Sequence, residues 1–443
     1  MTLKQQDVLS ALKKRDRDHR ERRQLLAPVA CPTAVKPPPA FDFSQLAAHK
    51  QLRMMAAAAE FVGVASPFFQ VHEGCAGATS TIGGRSVVNF ASYNYAGLNG
   101  HPEVTDAAKA AIDRYGTSAA ASRLVAGERP VHRELETSLA RFFGVEDSLV
   151  FVSGHATNVS VIGCLLGRDD LVICDEFSHN SIFEGAKLSG AARLVFPHND
   201  LDRLDALLRE HRGNHKQALI VVEGLYSMDG DCPDLARLVK IKQESDCWLM
   251  VDEAHSVGVL GKTGRGIAEE QAVDPTQVEI WMGTLSKSLA STGGYVAGSQ
   301  ALIDILRAGA SGFVYSVGLP PALAAAAVAA LKILDREPER LQRLRENASL
   351  FLRKAKQAGL ETGEAMGGSV IPILIGDSLK AVMTSNKLLE QGFNALPIIF
   401  PAVAHKQARL RFFMTSEHTP AQIEAVVSSI SGVLRDLQGA GNT

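Results

Sequence analysis

Four side chains in this sequence, a lysine, an aspartate and two histidines, are of the types needed to form a Schiff base and stabilise a carbanion. Lys287 lies in GTLSKS, a short polar segment, while Asp252 and His255 lie in VDEAH and His179 lies in SHNSI. A lysine whose amine is neutral can form a Schiff base with a carbonyl compound, and burial or neighbouring cations lower its pKa toward that state. A carboxylate can pair with a pyridinium nitrogen and keep the ring electron-withdrawing, so that the ring stabilises a carbanion. These residues together indicate pyridoxal phosphate (PLP) on Lys287 and carbanion chemistry on an amino acid.

A phosphate could be bound at the start of a helix beside the same residues. Ser153, Gly154 and His155 follow the apolar run SLVFV and precede a helical pattern. The first N–H groups of a helix have no partner within it, so they favour a phosphate dianion. Further polar residues that end or follow strand-like runs are Glu223, Ser227, Thr284 and Ser286.

The order of the elements indicates how residues so far apart in the chain could meet. Six short apolar runs alternate with helical patterns, as in strand–helix–strand units with a parallel sheet. They are residues 148–152, 171–175, 192–196, 218–224, 248–253 and 279–285. Functional side chains in such sheets lie at the carboxyl ends of the strands, so five strand ends should deliver polar groups to one edge. Residues 295–299 (YVAGS) follow too closely for a crossover helix, and we expect them to form an antiparallel neighbour.

The remaining parts of the chain are expected to surround this sheet. The predicted fold class is α/β, with a mostly parallel seven-stranded sheet in a large domain and a smaller α+β domain at the C-terminus. We place a charged N-terminal segment and linker at residues 1–45 and a segment that packs with the small domain at 46–100. The large domain is placed at 101–335 and the small domain at 336–443.

Composition and charge exclude several functional classes. The 443 residues are 46% hydrophobic and 21% charged, which is ordinary for a soluble globular protein. The net charge of −2 gives no electrostatic reason to expect nucleic-acid binding. No apolar run is long enough for a transmembrane segment and the N-terminus lacks a signal-peptide pattern, so we expect a cytoplasmic protein. The six cysteines form no C-x-x-C pair, so buried reduced thiols and no metal site are expected.

The motifs of this chain resemble those of the α-oxoamine synthases, PLP-dependent enzymes of fold type I. This family includes 8-amino-7-oxononanoate synthase, 2-amino-3-ketobutyrate ligase, 5-aminolevulinate synthase and serine palmitoyltransferase. The matching segments extend from about residue 89 to residue 418, and they include SYNYAGL, FVSGHATN, DEFSHNSI, VDEAHSVGVLGKTGRG, GTLSKSLASTGGYVAGS and ARLRFFMTSEHT. The resemblance implies condensation of a small amino acid with an acyl thioester and loss of carbon dioxide, giving an α-amino ketone.

The resemblance also implies a role for each matching residue. Lys287 would be the Schiff-base lysine and would move protons, Asp252 would pair with the pyridine nitrogen, and His255 would hydrogen-bond the phenolic oxygen. His179 would stack on the ring and could polarise the thioester carbonyl. The phosphate would be bound by Gly154, His155 and Thr284, and Glu223 and Ser227 would hold the network near the ring. Asn94 would lie by the substrate, and Arg411 would bind the amino-acid carboxylate, a bidentate task that suits a guanidinium. Ser316 would reach the phosphate of a neighbouring subunit, so a homodimer with shared active sites is implied.

Some positions depart from the family pattern and favour a particular kind of thioester. Ala404, His405 and Lys406 stand where the biotin-pathway enzymes have proline, arginine and glycine, and Val317 stands where a hydroxyl residue is usual. The amino-acid sequences of several segments resemble more closely those of synthase modules that release acyl chains from carrier proteins. Between Lys4 and Arg23 there are eight basic and four acidic residues. Because carrier proteins are acidic, this segment could bind an acyl carrier protein.

Several choices stay open on the sequence alone. Glycine, alanine and serine all remain as the amino acid, and coenzyme A and a carrier protein both remain as the thioester carrier. A PLP-dependent aminotransferase of the same fold is the alternative function. Glu253 is expected to be solvated at the end of its strand and His132 to be a buried structural histidine, whereas His198 receives no role.

Overall fold

The computed structural model describes residues 42–61 and 63–439. The chain divides into two compact units, and the boundary between them in the sequence falls between Gly63 and Val64. The first unit contains a short 3-10 turn at Phe43–Gln45 and helix α1 at Ala47–Phe61. The basic segment from Lys4 to Arg23 and the proline-rich residues 31–39 lie outside the described residues. Within the described residues, no helix is long and apolar enough to cross a membrane.

A seven-stranded sheet forms the centre of the second unit, as the sequence predicts. Its strands are β4 (Asp147–Phe151), β5 (Leu171–Asp175), β6 (Ala192–Phe196), β7 (Ala218–Glu223), β8 (Trp248–Asp252), β9 (Ile280–Thr284) and β10 (Gly294–Gly298). The order across the sheet is β4-β10-β9-β8-β7-β5-β6. Strand β10 pairs antiparallel with both β9 and β4, which confirms the expectation for YVAGS. The pairs from β9 to β6 are parallel, so the carboxyl ends of these strands meet at one edge.

Both faces of this sheet are covered, because its strands carry apolar side chains at successive positions. Leu171, Ile173 and Ile220 belong to one buried cluster, whereas Val172 and Leu219 belong to another. Successive side chains of a strand point to opposite faces, so the two clusters lie on the two sides of the sheet. Helices cover both sides, and they are α2 (Pro102–Tyr115), α3 (Pro130–Phe143), α4 (Gly154–Leu165), α5 (Asn180–Ser189), α6 (Leu201–His211), α7 (Leu235–Glu244), α8 (Ile267–Glu270), α9 (Gln300–Gly309), α10 (Ser311–Val314) and α11 (Pro321–Arg336).

The two ends of the second unit share a smaller sheet. Strands β1 (His72–Glu73), β2 (Thr79–Ile82) and β3 (Arg85–Asn89) form an antiparallel series, and β12 (Phe393–Asn394) pairs parallel with β3. A third sheet has the order β11-β14-β13, with β11 at Val370–Gly376, β13 at Leu396–Ile398 and β14 at Ala408–Phe413. Helices α12 (Glu339–Gln357), α13 (Ser378–Glu390) and α14 (Pro420–Gly439) complete this region. Segments before residue 90 and after residue 390 are thus hydrogen-bonded to each other.

The cysteines follow the expectation in part. Cys174 and Cys247 are buried, and no disulfide joins the described cysteines. Burial raises the pKa of the Cys174 thiol to about 12, so it stays a neutral thiol. Cys75 is exposed, so the expectation of a buried thiol is wrong there.

Candidate active site

Most of the predicted site residues line one cavity of about 280 Å3 at the carboxyl edge of the large sheet. It lies where β4, β5, β7, β8 and β9 end, which the strand-end rule predicts. The predicted residues that line it are Ser153, Gly154, His155, His179, Glu223, Asp252, His255, Thr284, Ser286 and Lys287. Asn158 and Ser181, to which the sequence analysis gave no role, also line it.

Lys287 is half-buried, and it lines both this cavity and a second one. Burial and the charge of Arg411 lower the pKa of the Lys287 amine to about 8, although Asp252 and Glu223 oppose the shift. The amine also lies 5.5 Å from the centroid of the Tyr93 ring. A substantial neutral fraction near neutral pH makes this amine able to attack a carbonyl carbon.

Asp252 lies at the end of β8, and two donors fix the orientation of its carboxylate. Oδ1 accepts from the backbone N–H of Ala254 at 3.0 Å, and Oδ2 accepts from Asn158 Nδ2 at 2.9 Å. The side chain is buried but lines the cavity, so its remaining lone pairs are available to a ligand there. Among the described residues this carboxylate forms no ion pair, and an unpaired buried carboxylate is the group that a protonated pyridine nitrogen would need.

His179 is the N-cap residue of α5, at the other side of the cavity. Its Nδ1 lies 2.7 Å from Ser181 Oγ and accepts from the backbone N–H of Ser181 at 3.3 Å. Burial, followed by the charges of Lys287, His155 and Arg411, lowers the pKa of its imidazole, although Asp252 opposes the shift. The neutral ring is therefore the form present near neutral pH.

His255 is buried and has a partner that the sequence analysis missed. The Tyr95 hydroxyl lies 2.8 Å from His255 Nδ1, and Tyr95 is fully buried. Burial and the charge of Lys287 lower the pKa of His255 well below its usual value, and burial raises that of Tyr95. A neutral tyrosine hydroxyl can both donate and accept; where it donates to Nδ1, the proton of the neutral His255 ring is on Nε2. Only a contact across 160 residues of chain reveals this pair, so no local pattern indicated it.

The start of α4 forms the opposite end of the cavity. Ser153 caps the helix by accepting from the Ala156 N–H at 3.1 Å. A side chain at position 154 would place its Cβ only 3.1 Å from Thr284 Oγ1, so glycine allows the close approach of helix and strand end. Thr284 Oγ1 donates to the Gly293 carbonyl at 3.0 Å and lies 2.8 Å from Ser286 Oγ. Hydroxyls and helix N–H groups here suit a phosphate.

Two buried glutamates at this edge both have a pKa raised to about 8 by burial, but they differ in their hydrogen-bond partners. Burial and the charge of Asp252 raise the pKa of Glu223 to about 8, and its Oε1 has no hydrogen-bond partner within the described residues. Glu253 is also completely buried, so the expectation that it would be solvated is wrong. Its carboxylate accepts from the Ile267 N–H at 3.0 Å and from the Ser256 hydroxyl, and it therefore joins β8 to the segment before α8.

Four predicted residues do not line this cavity. Asn94 lines the second cavity, of about 420 Å3, beside Lys287 and Ser286. The Asn94 amide is used within its own turn, because Oδ1 accepts from the N–H groups of Leu98 and Asn99 at 2.9 and 3.0 Å. Arg411 donates from Nη1 to the Ser227 carbonyl at 3.0 Å, whereas its buried Nε has no partner within the described residues. Ser316 lies outside both cavities, and its hydroxyl donates to the Val317 carbonyl at 3.3 Å.

Two further histidines have structural settings. His132 is fully buried and its Nε2 lies 2.6 Å from the Leu319 carbonyl, which confirms the structural interpretation. His198, which received no role, lies 2.9 Å from carboxylate oxygens of both Asp175 and Asp231. It stacks on Phe177 with ring centroids 4.3 Å apart. His198 thus joins the end of β5 to the loop that follows β7.

Comparison with known proteins relates this geometry to enzymes of one kind. A family model described as aminotransferase class I and II matches residues 85–430. 8-amino-7-oxononanoate synthase 1 of Bacillus velezensis is 40% identical over 362 residues, which are 82% of this chain and 92% of that protein. A solved serine palmitoyltransferase with PLP as its internal aldimine matches with a TM-score of 0.86 and 30% identity, over 90% of this chain and 100% of that one. An 8-amino-7-oxononanoate synthase of Francisella tularensis matches with a TM-score of 0.70 and 27% identity, over 80% and 99% of the two chains.

Proposed function

Because the chain belongs to the α-oxoamine synthase family of PLP-dependent fold-type-I enzymes, we propose a role for each side chain at its two cavities. The protein is a PLP-dependent acyltransferase that condenses an amino acid with an acyl thioester and releases carbon dioxide. The predictions of family, fold class, cofactor and reaction are confirmed, and the aminotransferase alternative is not favoured.

The residues present fit PLP. One cavity of about 280 Å3 is lined by Lys287, whose amine can be neutral, by the oriented carboxylate of Asp252 and by the N-terminus of α4. Buried Glu223 Oε1 and Asn158 Oδ1 face no hydrogen-bond partner within the described residues. Lys287 would hold the cofactor through Nζ, Asp252 would pair with its ring nitrogen, and Gly154 and His155 would bind its phosphate. When bound, the cofactor supplies the electron sink that stabilises a carbanion at the amino-acid α-carbon.

Protein side chains would transfer the proton, bind the substrate carboxylate and hold the cofactor. Lys287 Nζ would take the α-proton of the amino acid, since its pKa of about 8 suits proton transfer near neutral pH. Arg411 would bind the substrate carboxylate with the part of its guanidinium that includes the unpartnered Nε. Nε2 of His255 would donate to the cofactor's phenolic oxygen. Ser227 would act through its carbonyl, which orients Arg411, and Thr284 and Ser286 would add hydroxyl groups at the phosphate.

The observation that carries this proposal is the place of Lys287. Lys287 lines both cavities, and the cavity on the side of Asn94 would receive the acyl thioester. The amino acid is proposed to be glycine, alanine or serine, since 8-amino-7-oxononanoate synthases and serine palmitoyltransferases are among the relatives of this chain. An acyl carrier protein is proposed as the thioester carrier, on the basis of the basic segment between Lys4 and Arg23.

Mixing the enzyme with each amino acid and an acyl thioester tests the function. Release of carbon dioxide and free thiol in equal amounts is expected, together with loss of both in Lys287→Ala. Turnover that instead requires a 2-oxo acid, or turnover retained by Lys287→Ala, would contradict the proposal.

A homodimer with shared sites is proposed for the region around Ser316. Ser316 lies between two exposed apolar side chains, Tyr315 and Val317. Two more, Leu124 and Val125, lie in the segment 123–127, which contacts α10. Such a patch marks a surface suited to a partner protein. We also propose the domain boundaries 1–45, 46–100, 101–335 and 336–443 as the working division of the chain.

A further inference from the structure

A buried chain of hydrogen bonds joins Asp252 on β8 to His179 on α5. Asn158 Nδ2 lies 2.9 Å from Asp252 Oδ2 and 2.9 Å from Ser181 Oγ. Ser181 Oγ lies 2.7 Å from His179 Nδ1. Asn158 and Ser181 are 1% and 0% exposed, so these contacts are largely shielded from bulk solvent.

The donors of this chain fix its direction. The backbone N–H of Ser181 can only donate, so the His179 Nδ1 atom at 3.3 Å must carry a lone pair. The opposite orientation of the Asn158 amide would place its carbonyl oxygen against the Asp252 carboxylate, which excludes that orientation. Nδ2 of Asn158 therefore donates to Ser181 Oγ, and the Ser181 hydroxyl is free to donate to His179 Nδ1. A neutral imidazole with Nδ1 as acceptor carries its proton on Nε2.

We propose that Asn158 and Ser181 are positioning residues that hold His179 as its Nε2–H tautomer, so that Nε2 donates to the carbonyl oxygen of the acyl thioester. The inference rests on the proposed function, because it names the oxygen that receives this hydrogen bond. A donor placed where negative charge develops lowers the barrier of acyl transfer. The wrong tautomer would present a lone pair to that oxygen and would repel the charge.

The arrangement also couples two parts of the site. Asp252 orients Asn158, Asn158 orients Ser181, and Ser181 orients His179, so the carboxylate of β8 acts on the imidazole through two side chains. Burial and the charge of Lys287 lower the pKa of His179 and so keep its ring neutral. Only the neutral ring exists as two tautomers, because both nitrogens of the charged ring carry a proton.

Ser181→Ala in the holoenzyme tests the proposal, with Ser189→Ala at the end of the same helix as the matched control. The Ser189 hydroxyl donates to the Ala186 carbonyl and contacts neither cavity. We expect kcat/KM for the thioester to fall about tenfold in Ser181→Ala, the effect of one lost hydrogen bond to a reacting group. Amino-acid affinity and the control variant should stay unchanged.

Nitrogen-15 NMR of histidine-labelled holoenzyme reports the tautomer directly, with His179→Asn used to assign the signal. The wild type should show the Nε2–H form, and Ser181→Ala a mixture of both tautomers. Asn158→Ala, which interrupts the chain one step earlier, should shift the populations in the same direction and keeps the test decisive if Ser181→Ala does not fold.

Two results would overturn the proposal. One is an Nδ1–H form of His179 in the wild type. The other is a Ser181→Ala variant in which kcat/KM falls equally for the amino acid and the thioester while the tautomer of His179 is unchanged. That pattern is expected of a residue with a purely structural role. An enzyme that releases neither carbon dioxide nor thiol would instead contradict the proposed function, and the NMR result would still decide the tautomer.

Discussion

Lys287 shows how the setting of one residue decides its chemistry. An exposed lysine carries a proton at neutral pH, but burial and the nearby Arg411 lower the pKa of this amine to about 8. The opposing carboxylates of Asp252 and Glu223 keep the shift from being larger. The amine can therefore alternate between the charged and the neutral form near physiological pH, as a nucleophile and proton carrier must.

Cofactor uptake by the apoenzyme should report this pKa. Only the neutral amine attacks the aldehyde, so the rate of covalent attachment should rise with pH and level off above an apparent pKa of about 8. Stopped-flow absorbance on mixing apoenzyme with PLP measures the rate. Lys262→Ala, which changes an exposed lysine, should leave the profile unchanged. A midpoint near the ordinary lysine value of 10.5 would contradict the assignment.

Arg411 should determine the affinity for the amino acid. Its Nε has no partner within the described residues, although Nη1 is held by the Ser227 carbonyl at 3.0 Å. Arg411→Lys keeps the charge but loses the planar pair of donors, so the KM for the amino acid should rise about 10-fold or more. The KM for the thioester should stay the same, and steady-state kinetics with each substrate varied separately would show the difference. Arg353→Lys, at an exposed position on α12, is the control, and an equal rise in both KM values would exclude the role.

The sequence predicted the residues at the strand ends, but not the residues that orient them. The apolar pattern of each strand can be recognised in the sequence, and it is followed by Lys287, Asp252, His255 or His179. Asn158 and Tyr95 act through hydrogen bonds across 23 to 160 residues, which no local pattern encodes. Ser181 lies only two residues from His179, but its contact with Asn158 is 23 residues away in the chain. Glu253 was wrongly expected to be solvated, because its buried partners at Ser256 and Ile267 come from a loop that folds back on β8.

At the scale of elements, the parallel strands explain why so much of the site was predictable. The strand order could not be deduced from spacing, but every ordering of parallel strands places the carboxyl ends at one edge. The antiparallel β10 was predictable because nine residues between β9 and β10 leave no room for a crossover helix. The contacts between loops at that edge, such as the one made by His198, depended on the order itself.

His198 joins two of these elements through charge. Burial disfavours its protonated form, but the hydrogen bonds to Asp175 and Asp231 outweigh burial and raise its pKa to about 10. Because the folded-state pKa lies above the ordinary value of 6.5, the stabilisation is fully present below pH 6.5 and is lost as the pH rises through about 10.

Replacing His198 should therefore have a pH-dependent effect on stability. His198→Gln should lower the free energy of unfolding by about 2 kcal/mol at pH 6.5, and the difference from wild type should shrink toward pH 10. Chemical denaturation followed by circular dichroism across this range measures it. His211→Gln, on the surface of α6, should show no such trend. A constant difference across the range would mean that His198 stabilises only by packing.

At the scale of the whole molecule, two proposals concern surfaces beyond the cavities. The basic segment between Lys4 and Arg23 lies outside the described residues, and Ser316 lies outside both cavities. Each was indicated by charge or by resemblance rather than by a contact within one chain. Each therefore needs a test that includes a partner.

Deleting residues 1–23 should affect only thioesters borne by a carrier protein. Loss of basic charge removes electrostatic attraction to an acidic carrier, so the KM for that substrate should rise and lose its dependence on salt. The KM for a coenzyme A thioester should not change. A full-length protein with the eight basic residues changed to glutamine separates charge from length. Unchanged, salt-independent kinetics with the carrier would exclude the docking role.

Mixed dimers should test whether subunits share their sites. Lys287→Ala lacks the cofactor lysine, and Ser316→Asp places a negative charge where the partner's phosphate would lie, so each variant alone should be nearly inactive. Coexpression should restore activity, because one site of the mixed dimer then has both native residues. Failure to recover activity in a purified mixed dimer would show that Ser316 serves its own chain, and full activity of Ser316→Asp alone would show that it serves neither site.

The position of β10 between β9 and β4 has a consequence for biosynthesis. Strand β4 ends at Phe151, yet its neighbour in the sheet starts at Gly294. Sheet pairing over so long a stretch raises the contact order, which slows folding. While a ribosome is still making the residues in between, β4 has no strand to pair with, and unpaired edges of this kind favour aggregation. Ser153 and Gly154 follow β4 directly, so the phosphate end of the site can form only after translation has passed β10.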